Sequence, residues 1–167
     1  MKRYISLLLV IVMLILFCSC EKRSENFVLP ATFYYPQAQS SLDLSESMFQ
    51  GEIRETAHCH GKLEEILNIY LSGPTTDDYV SPFPPNLFVL SAVQNEGTVT
   101  INLSNAFSQL EDFDLSIASI CISMTVFGLT DCEEVELQTN GDALSGRDSI
   151  MISKDVIYLL DEYHKES

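Results

Sequence analysis

From Thr98 to Leu129 the chain passes from strict alternation to an apolar run, and that transition constrains the fold more than any other stretch. Val99, Ile101 and Leu103 fall on one side of an extended segment, with Thr98, Thr100 and Asn102 on the other. This is the period of two expected of a strand with one buried face. Asn95-Glu96-Gly97 supplies a turn back to Phe88-Val89-Leu90-Ser91-Ala92-Val93, so the two runs are expected to pair as an antiparallel hairpin. Leu115 to Leu129 then reads as a helix that is apolar almost all round (Ile117, Ala118, Ile120, Cys121, Ile122, Met124, Val126, Phe127). A helix with so little polar surface must be enclosed on most sides.

The rest of the chain supplies elements to enclose it. Ala31 to Tyr35 is an aromatic, β-favouring run bounded by Pro30 and Pro36, and it reads as a first strand. Gln37 to Ser47 is polar. Gly51 to Thr56 sets Ile53 between Glu52 and Arg54, a short alternation expected of a second, exposed strand. Leu63, Ile66, Leu67 and Tyr70 share one face of a helix that Gly73-Pro74 ends. Glu133 to Thr139 reads as a last core strand closed by Asn140-Gly141. Val156, Leu159, Leu160 and Tyr163 have the spacing of an amphipathic helix over Asp155 to His164. The expected class is α+β, a single antiparallel-rich mixed sheet with two helices packed on one face and the other face open for contact. No period of 20 to 50 residues repeats.

At the N-terminus Lys2 and Arg3 precede an apolar run from Tyr4 to Phe17, interrupted only by Ser6. At about 1.5 Å per residue this run covers roughly 21 Å, short of the roughly 30 Å hydrocarbon core. It therefore reads as a cleavable export signal, the alternative being an uncleaved signal anchor. The run ends Phe17-Cys18-Ser19-Cys20, the arrangement of a bacterial lipobox with Cys20 as the lipidated residue. Cys18 fits less well because the bulky Phe17 precedes it, and Phe17 itself stands where leucine is usual. Residues 1–19 are thus expected to be a lipoprotein signal peptide, 20–30 a tether, 31–144 one domain and 145–167 a C-terminal extension containing the candidate helix. A lipid on Cys20 would hold the domain on the extracytoplasmic face of the cytoplasmic membrane.

Charge limits the partners. The chain has nine basic and twenty-four acidic residues; losing Lys2 and Arg3 with the signal leaves seven basic residues and a net charge of −17. Nucleic acid would be repelled, with no basic stripe to recruit it. Anionic lipid would be repelled too, so the domain is expected to stand off the bilayer.

Three cysteines besides Cys20 remain: Cys59, Cys121 and Cys132. The odd number argues against a complete disulfide framework. Cys121 on an apolar helix is expected to be a buried thiol unlinked to Cys132, while a Cys59 to Cys132 bond stays open. His58-Cys59-His60 offers zinc-type ligands, but adjacent residues rarely converge on one ion and no second ligand pair follows. His164 stands alone in the tail. Glu64-Glu65, Asp77-Asp78, Glu111-Asp112 and Glu133-Glu134 are sequence-adjacent pairs that read as solvated charge. No nucleophile elbow, phosphate loop or His-Glu-x-x-His motif occurs. The chain is accordingly expected to have no catalytic residues, no cofactor and no metal. Pro82-Phe83-Pro84-Pro85 is the candidate interaction loop, a stiff projection that loses little entropy on binding; the reading slightly preferred is that Phe83 tucks onto the sheet and the prolines hold a turn.

The order of these motifs resembles the GerMN family, the sporulation and spore germination module. Tyr34-Tyr35-Pro36 looks like the family's opening strand, and Arg54 falls near its arginine before the first helix. Leu71-Ser72-Gly73-Pro74 is similar to its helix-ending Leu-x-Gly-Pro, and Pro82 to Pro85 to its Ser-Pro-x-Pro loop with one more proline. Ile101-Asn102-Leu103-Ser104 with Phe107 resembles Val-Asp-Leu-Ser and a following phenylalanine, Asn102 replacing the usual aspartate. Ser123-Met124-Thr125-Val126 stands near the family's Asn-Thr-Leu segment. The resemblance implies a ring-building-motif-like β-α-β-β-α-β order. It also implies a non-enzymatic module of an envelope, sporulation or germination assembly that acts by domain-domain association with protein partners, self-association being left open. The rival expectation is a ligand-binding lipoprotein that captures a small molecule or cell-wall fragment on Tyr34, Tyr35, Tyr79 and Phe83.

Overall fold

Pro30 and Pro36 bracket the first strand, β1 (Pro30–Pro36), whose Ala31, Phe33 and Tyr35 are buried while Thr32 and Tyr34 are half-buried. The computed structural model describes residues 30–38, 48–56, 62–140 and 149–157. Strand β2 (Phe49–Glu55) pairs antiparallel with β1, setting Thr32 opposite Ile53 and Tyr34 opposite Gly51. Helix α1 (Leu63–Leu71) buries Leu67, Tyr70 and Leu71. Strands β3 (Val89–Asn95) and β4 (Thr98–Leu103) form the expected antiparallel hairpin, with a bulge between Val89 and Ser91. A short 3-10 turn (Asn105–Gln109) leads into helix α2 (Asp112–Leu129), followed by β5 (Glu134–Thr139) and β6 (Ile150–Ser153).

The α+β class holds, with one difference in the sheets. β3, β4, β5 and β6 form a four-stranded sheet in that order, while β1 and β2 make a separate two-stranded sheet. The reason lies in α2. Its buried residues include Leu115, Ala118, Cys121, Ile122, Val126 and Phe127, too many directions for one sheet to cover. β1 runs alongside it, and the Tyr34 N–H donates to Thr125 Oγ1 of α2 at 3.0 Å. A helix side chain thus takes a donor that a neighbouring strand would have used. By length and composition α2 could cross a membrane, but it packs here against β1, β5 and β6.

β4 and β5 are parallel and joined through α2; the other pairings are antiparallel, as a crossover helix requires. Val99, Ile101, Leu103, Val135 and Leu137 are 0% exposed. They face the helices, α1 over β3 and α2 over β5 and β6. Thr98, Thr100, Asn102, Glu134, Glu136 and Gln138 occupy the other, half-exposed face. There the Thr98 and Thr100 hydroxyls donate to Glu134 and Glu136 at 3.3 and 3.1 Å. β6 was not among the expected strands; it pairs with β5 through Ile152 opposite Val135 and Ile150 opposite Leu137. Residues 154–157 are helical, and the remainder of the expected helix to His164 lies outside the described residues.

Candidate functional site

Residues from four separated motifs meet at one place, centred on Arg54. On β2 the alternation turns the charged side inward: Glu52 is buried and Ile53 is 73% exposed. Arg54 turns inward beside Glu52, their side chains 12% and 8% exposed. Arg54 Nε donates to Glu52 Oε2 at 2.8 Å, and Nη2 donates to the same oxygen, to the Tyr35 hydroxyl at 3.0 Å and to the Gly73 carbonyl at 2.7 Å. The guanidinium also lies 5.0 Å from the Phe33 ring centroid and 5.6 Å from that of Tyr35, within cation–π range. The other Glu52 oxygen accepts from the Thr75 amide at 3.0 Å and from the Thr75 hydroxyl. Two inward charges are tolerated because each is paired and hydrogen-bonded.

The phenols extend the network. Tyr35 donates to the Tyr70 carbonyl at 2.7 Å, and Tyr70 donates to the Tyr34 carbonyl at 2.6 Å, so β1 and the end of α1 hold each other reciprocally. Gly73 sits at φ 99°, a left-handed conformation suited to glycine. It closes the helix with its N–H on Tyr70 O at 3.1 Å while offering its carbonyl to Arg54.

Phe83 covers this cluster. Its ring stands edge-on to Tyr70 at 4.9 Å and 78°, and to Tyr35 at 6.2 Å and 61°. Pro82, Phe83 and Pro84 are half-buried and Pro85 is exposed. Tyr79 lies 6.3 Å from Tyr35, placed by a bridge to Gln37 and by the Val80 N–H on Pro36 O at 2.9 Å. The rings named as stacking surfaces for a ligand thus stack largely on one another.

Electrostatically the cluster is set for holding rather than for proton transfer. Burial would raise the Glu52 carboxyl, but hydrogen bonds from Thr75 and Arg54 outweigh it and keep the acid below its usual range. Burial pushes the Tyr35 and Tyr70 phenols well above theirs. Neither a raised phenol nor a depressed, fully bonded carboxylate is poised as a base near neutrality.

The remaining expected sites fall elsewhere. Cys20, His58-Cys59-His60 and His164 lie outside the described residues. Cys121 and Cys132 are buried free thiols. Of the acidic pairs, Glu64, Asp77, Asp78, Glu111, Asp112 and Glu133 are exposed, while Glu65 and Glu134 are half-buried. No group of three metal-ligating side chains comes together among the described residues. Ser104 ties the hairpin at its entry: its hydroxyl accepts from the Phe88 N–H at 3.3 Å and donates to the Asn86 carbonyl at 3.2 Å.

Sequence reasoning missed Glu52, Tyr70 and Thr75. The available signal was the i, i+2 spacing of Glu52 and Arg54, which puts both charges on one strand face. The open sheet face expected for contact belongs to the four-stranded sheet. The strand registers align Val93, Thr100, Glu136 and Met151 across it, with Val93 49% and Met151 56% exposed.

Comparison with known proteins places this geometry. No curated protein sequence matches the chain. The first GerMN domain of the sporulation protein GerM from Bacillus subtilis superposes with a TM-score of 0.57 at 13% identity, covering 76% of this chain and 98% of that one. The tandem GerMN domains of the same protein give a TM-score of 0.56 at 14% identity over 77% of this chain, which spans 47% of the two-domain chain. These likenesses establish a shared fold. The profile of the Germane family, described as sporulation and spore germination, matches residues 32–145, a span that takes in Tyr35, Arg54, Gly73 and Phe83. The chain therefore belongs to the Germane family, the sporulation and spore germination domain.

Proposed function

We propose that this protein is a lipoprotein held by Cys20 on the extracytoplasmic face of the cell membrane, where its Germane domain acts by docking onto another protein domain and not by catalysis. The observation that carries this reading is the use made of the motif residues. Tyr35, Arg54, Gly73 and Phe83 are engaged with one another and with Tyr70. Among the described residues, the open sheet face presents apolar Val93 and Met151 to solvent among polar Thr100 and Glu136. A mixed polar and apolar face of this kind suits association between domains. The tandem arrangement of GerMN domains in GerM supports the same reading. Capture of a small molecule or cell-wall fragment has less support, because Tyr35 and Phe83 pack on each other and on Tyr70.

The test is crosslinking and pulldown of the tagged full-length protein from its native membranes, in growth and in sporulation, beside a Val93→Asp/Met151→Asp variant. Envelope proteins captured by the wild type and lost in the variant are the expected result. Monomer alone in every condition would overturn the docking role. Release of a Cys20→Ala variant from the membrane fraction is expected if Cys20 carries the anchor.

A further inference from the structure

β3 is an edge strand of the four-stranded sheet, and its sequence, Val-Leu-Ser-Ala-Val-Gln-Asn, holds no charged residue and no proline. Edges of soluble domains are ordinarily guarded by such residues, by a bulge or by a cover. Here the guard protects one end. The Ser104 N–H donates to the Phe88 carbonyl at 2.9 Å, so at the next pair, Val89 with Leu103, the Val89 N–H and carbonyl point away from β4. The Asn68 carboxamide of α1 takes both. Its Oδ1 accepts from the Val89 N–H at 2.9 Å, and its Nδ2 donates to the Val89 carbonyl at 3.4 Å. A side-chain amide thus stands where a further strand would pair.

Past the bulge between Val89 and Ser91 the edge is open. Ala92 pairs with Ile101 and Gln94 with Val99. These partners follow Leu103 at two-residue spacing along β4, so the N–H and carbonyl groups of Ala92 and Gln94 point outward as those of Val89 do. Among the described residues nothing bonds to these outward backbone groups. An edge with unpaired donors and acceptors is a template for strand addition.

The side chains beside the edge specify what is added. A groove of about 540 Å³ runs between α1 and the C-terminal end of α2, with Ala92 and Gln94 along it. Leu63, Ile66 and Leu129 give it apolar, half-buried walls. Asp131 stands at Gln94, its Oδ1 accepting from Gln94 Nε2 at 2.7 Å. It follows the C-terminus of an 18-residue helix whose last turn holds no basic residue, so its carboxylate and the negative end of the helix dipole add together. None of the described residues lining the groove is basic. Alternate side chains of an added strand would enter the groove, where the apolar walls receive one and Asp131 the other.

We propose that the β3 edge from Ala92 to Asn95, with this groove, binds an extended segment of another protein as a fifth strand, and that the segment carries an apolar and a basic side chain two positions apart. A second copy of this chain is a poor occupant: its β3 has no basic residue to offer, and each copy has a formal net charge of −15. The site is the edge of the sheet and not its open face, and it stands whether or not that face docks a domain.

The test is selection of random short peptides displayed on phage against the full-length lipoprotein in detergent micelles, followed by fluorescence anisotropy of the enriched peptides. Enrichment of an apolar residue with Lys or Arg two positions away is expected. Ala92→Pro removes an outward N–H that β4 does not use, so the fold loses no ladder bond, and it should weaken the enriched peptides about tenfold or more. Asp131→Lys should keep the apolar preference and exchange the basic residue for an acidic one, a gain that a misfolded variant cannot produce. No enrichment of the apolar and basic pair, equal binding by Ala92→Pro, or an unchanged charge preference in Asp131→Lys would each overturn the proposal.

Discussion

Arg54 donates a 2.7 Å hydrogen bond to the Gly73 carbonyl, and that bond fastens strand β2 to the turn that ends α1. The same guanidinium holds Glu52 and Tyr35, so one side chain joins three parts of the domain.

Replacing Arg54 should therefore be costly. Arg54→Met leaves the Glu52 carboxylate, 8% exposed, without its cation and orphans the Gly73 carbonyl. Breaking a buried pair from one side typically costs about 3–5 kcal/mol. Arg54→Lys should recover only part of the loss, because an ammonium cannot reach Glu52, Tyr35 and Gly73 together as the planar fork does. Urea unfolding of both variants measures this, and an Arg54→Met cost below about 1 kcal/mol would place the pair among surface bridges.

The same carboxylate sets an acid sensitivity. Glu52 is held below its usual range in the folded state, so its stabilising contribution is present above the unfolded value of about 4.3 and is lost as pH falls through the lower folded value. Glu136, bonded by Ser149, Gln138 and Thr100 and likewise depressed, contributes with the same sign. Stability is expected to hold above about pH 5 and to decline below it. Glu52→Gln should lower stability near neutrality and flatten the acid slope. An unchanged slope in Glu52→Gln would show that other carboxylates carry the acid response.

Cys121 and Cys132 are both 0% exposed, and burial pushes the Cys121 thiol well above the ordinary range. Only the thiolate reacts readily. Alkylation of Cys121 and Cys132 in the folded protein should be slower than in denaturant by at least about a hundredfold, since labelling must wait for opening. Peptide mass mapping of the labelled sites measures the ratio, and rapid Cys121 labelling without denaturant would contradict its burial.

Phe83→Ala removes the edge-on contacts with Tyr70 and Tyr35. For a half-buried ring the expected loss is about 1–2 kcal/mol, from lost apolar burial and aromatic pairing. A variant that keeps full stability yet loses partner capture would instead make Phe83 an outward-acting contact.

What the sequence disclosed followed from how much of each element is buried on one side. Val99, Ile101 and Leu103 alternate because β4 has one face on the core, and that pattern is visible in any window along it. The inward side of β2 is not legible locally because Ile53 sits between two charges, and only the distant Thr75 and Gly73 reveal that the charges point inward. β6 went unread because Ile150-Met151-Ile152 is a short apolar run whose strand identity depends on β5 beside it. The division into two sheets was also hidden, because it turns on the side chain of Thr125, 91 residues from Tyr34 in sequence. The motif residues were found singly, and only the fold shows them meeting around Arg54.

Two glycines near this cluster should fail for opposite reasons. At Gly73 a Cβ would lie 3.7 Å from Ser81, an ordinary contact, but φ is 99°. Gly73→Ala should cost about 1–2 kcal/mol through backbone strain, and trimming Ser81 should not recover it. At Gly51 a Cβ would come within 2.4 Å of Thr32 Cγ2 across the β1 and β2 pairing. Gly51→Ala should cost about 1–3 kcal/mol through overpacking. Thr32→Ser removes the obstructing methyl, so Gly51→Ala/Thr32→Ser should be more stable than the sum of the single changes predicts, by more than the roughly 0.5 kcal/mol within which independent sites add. Additivity at the Gly51 and Thr32 pair would mean that the hairpin relaxes without strain, and the tight approach of β1 to β2 would then not be what requires glycine there.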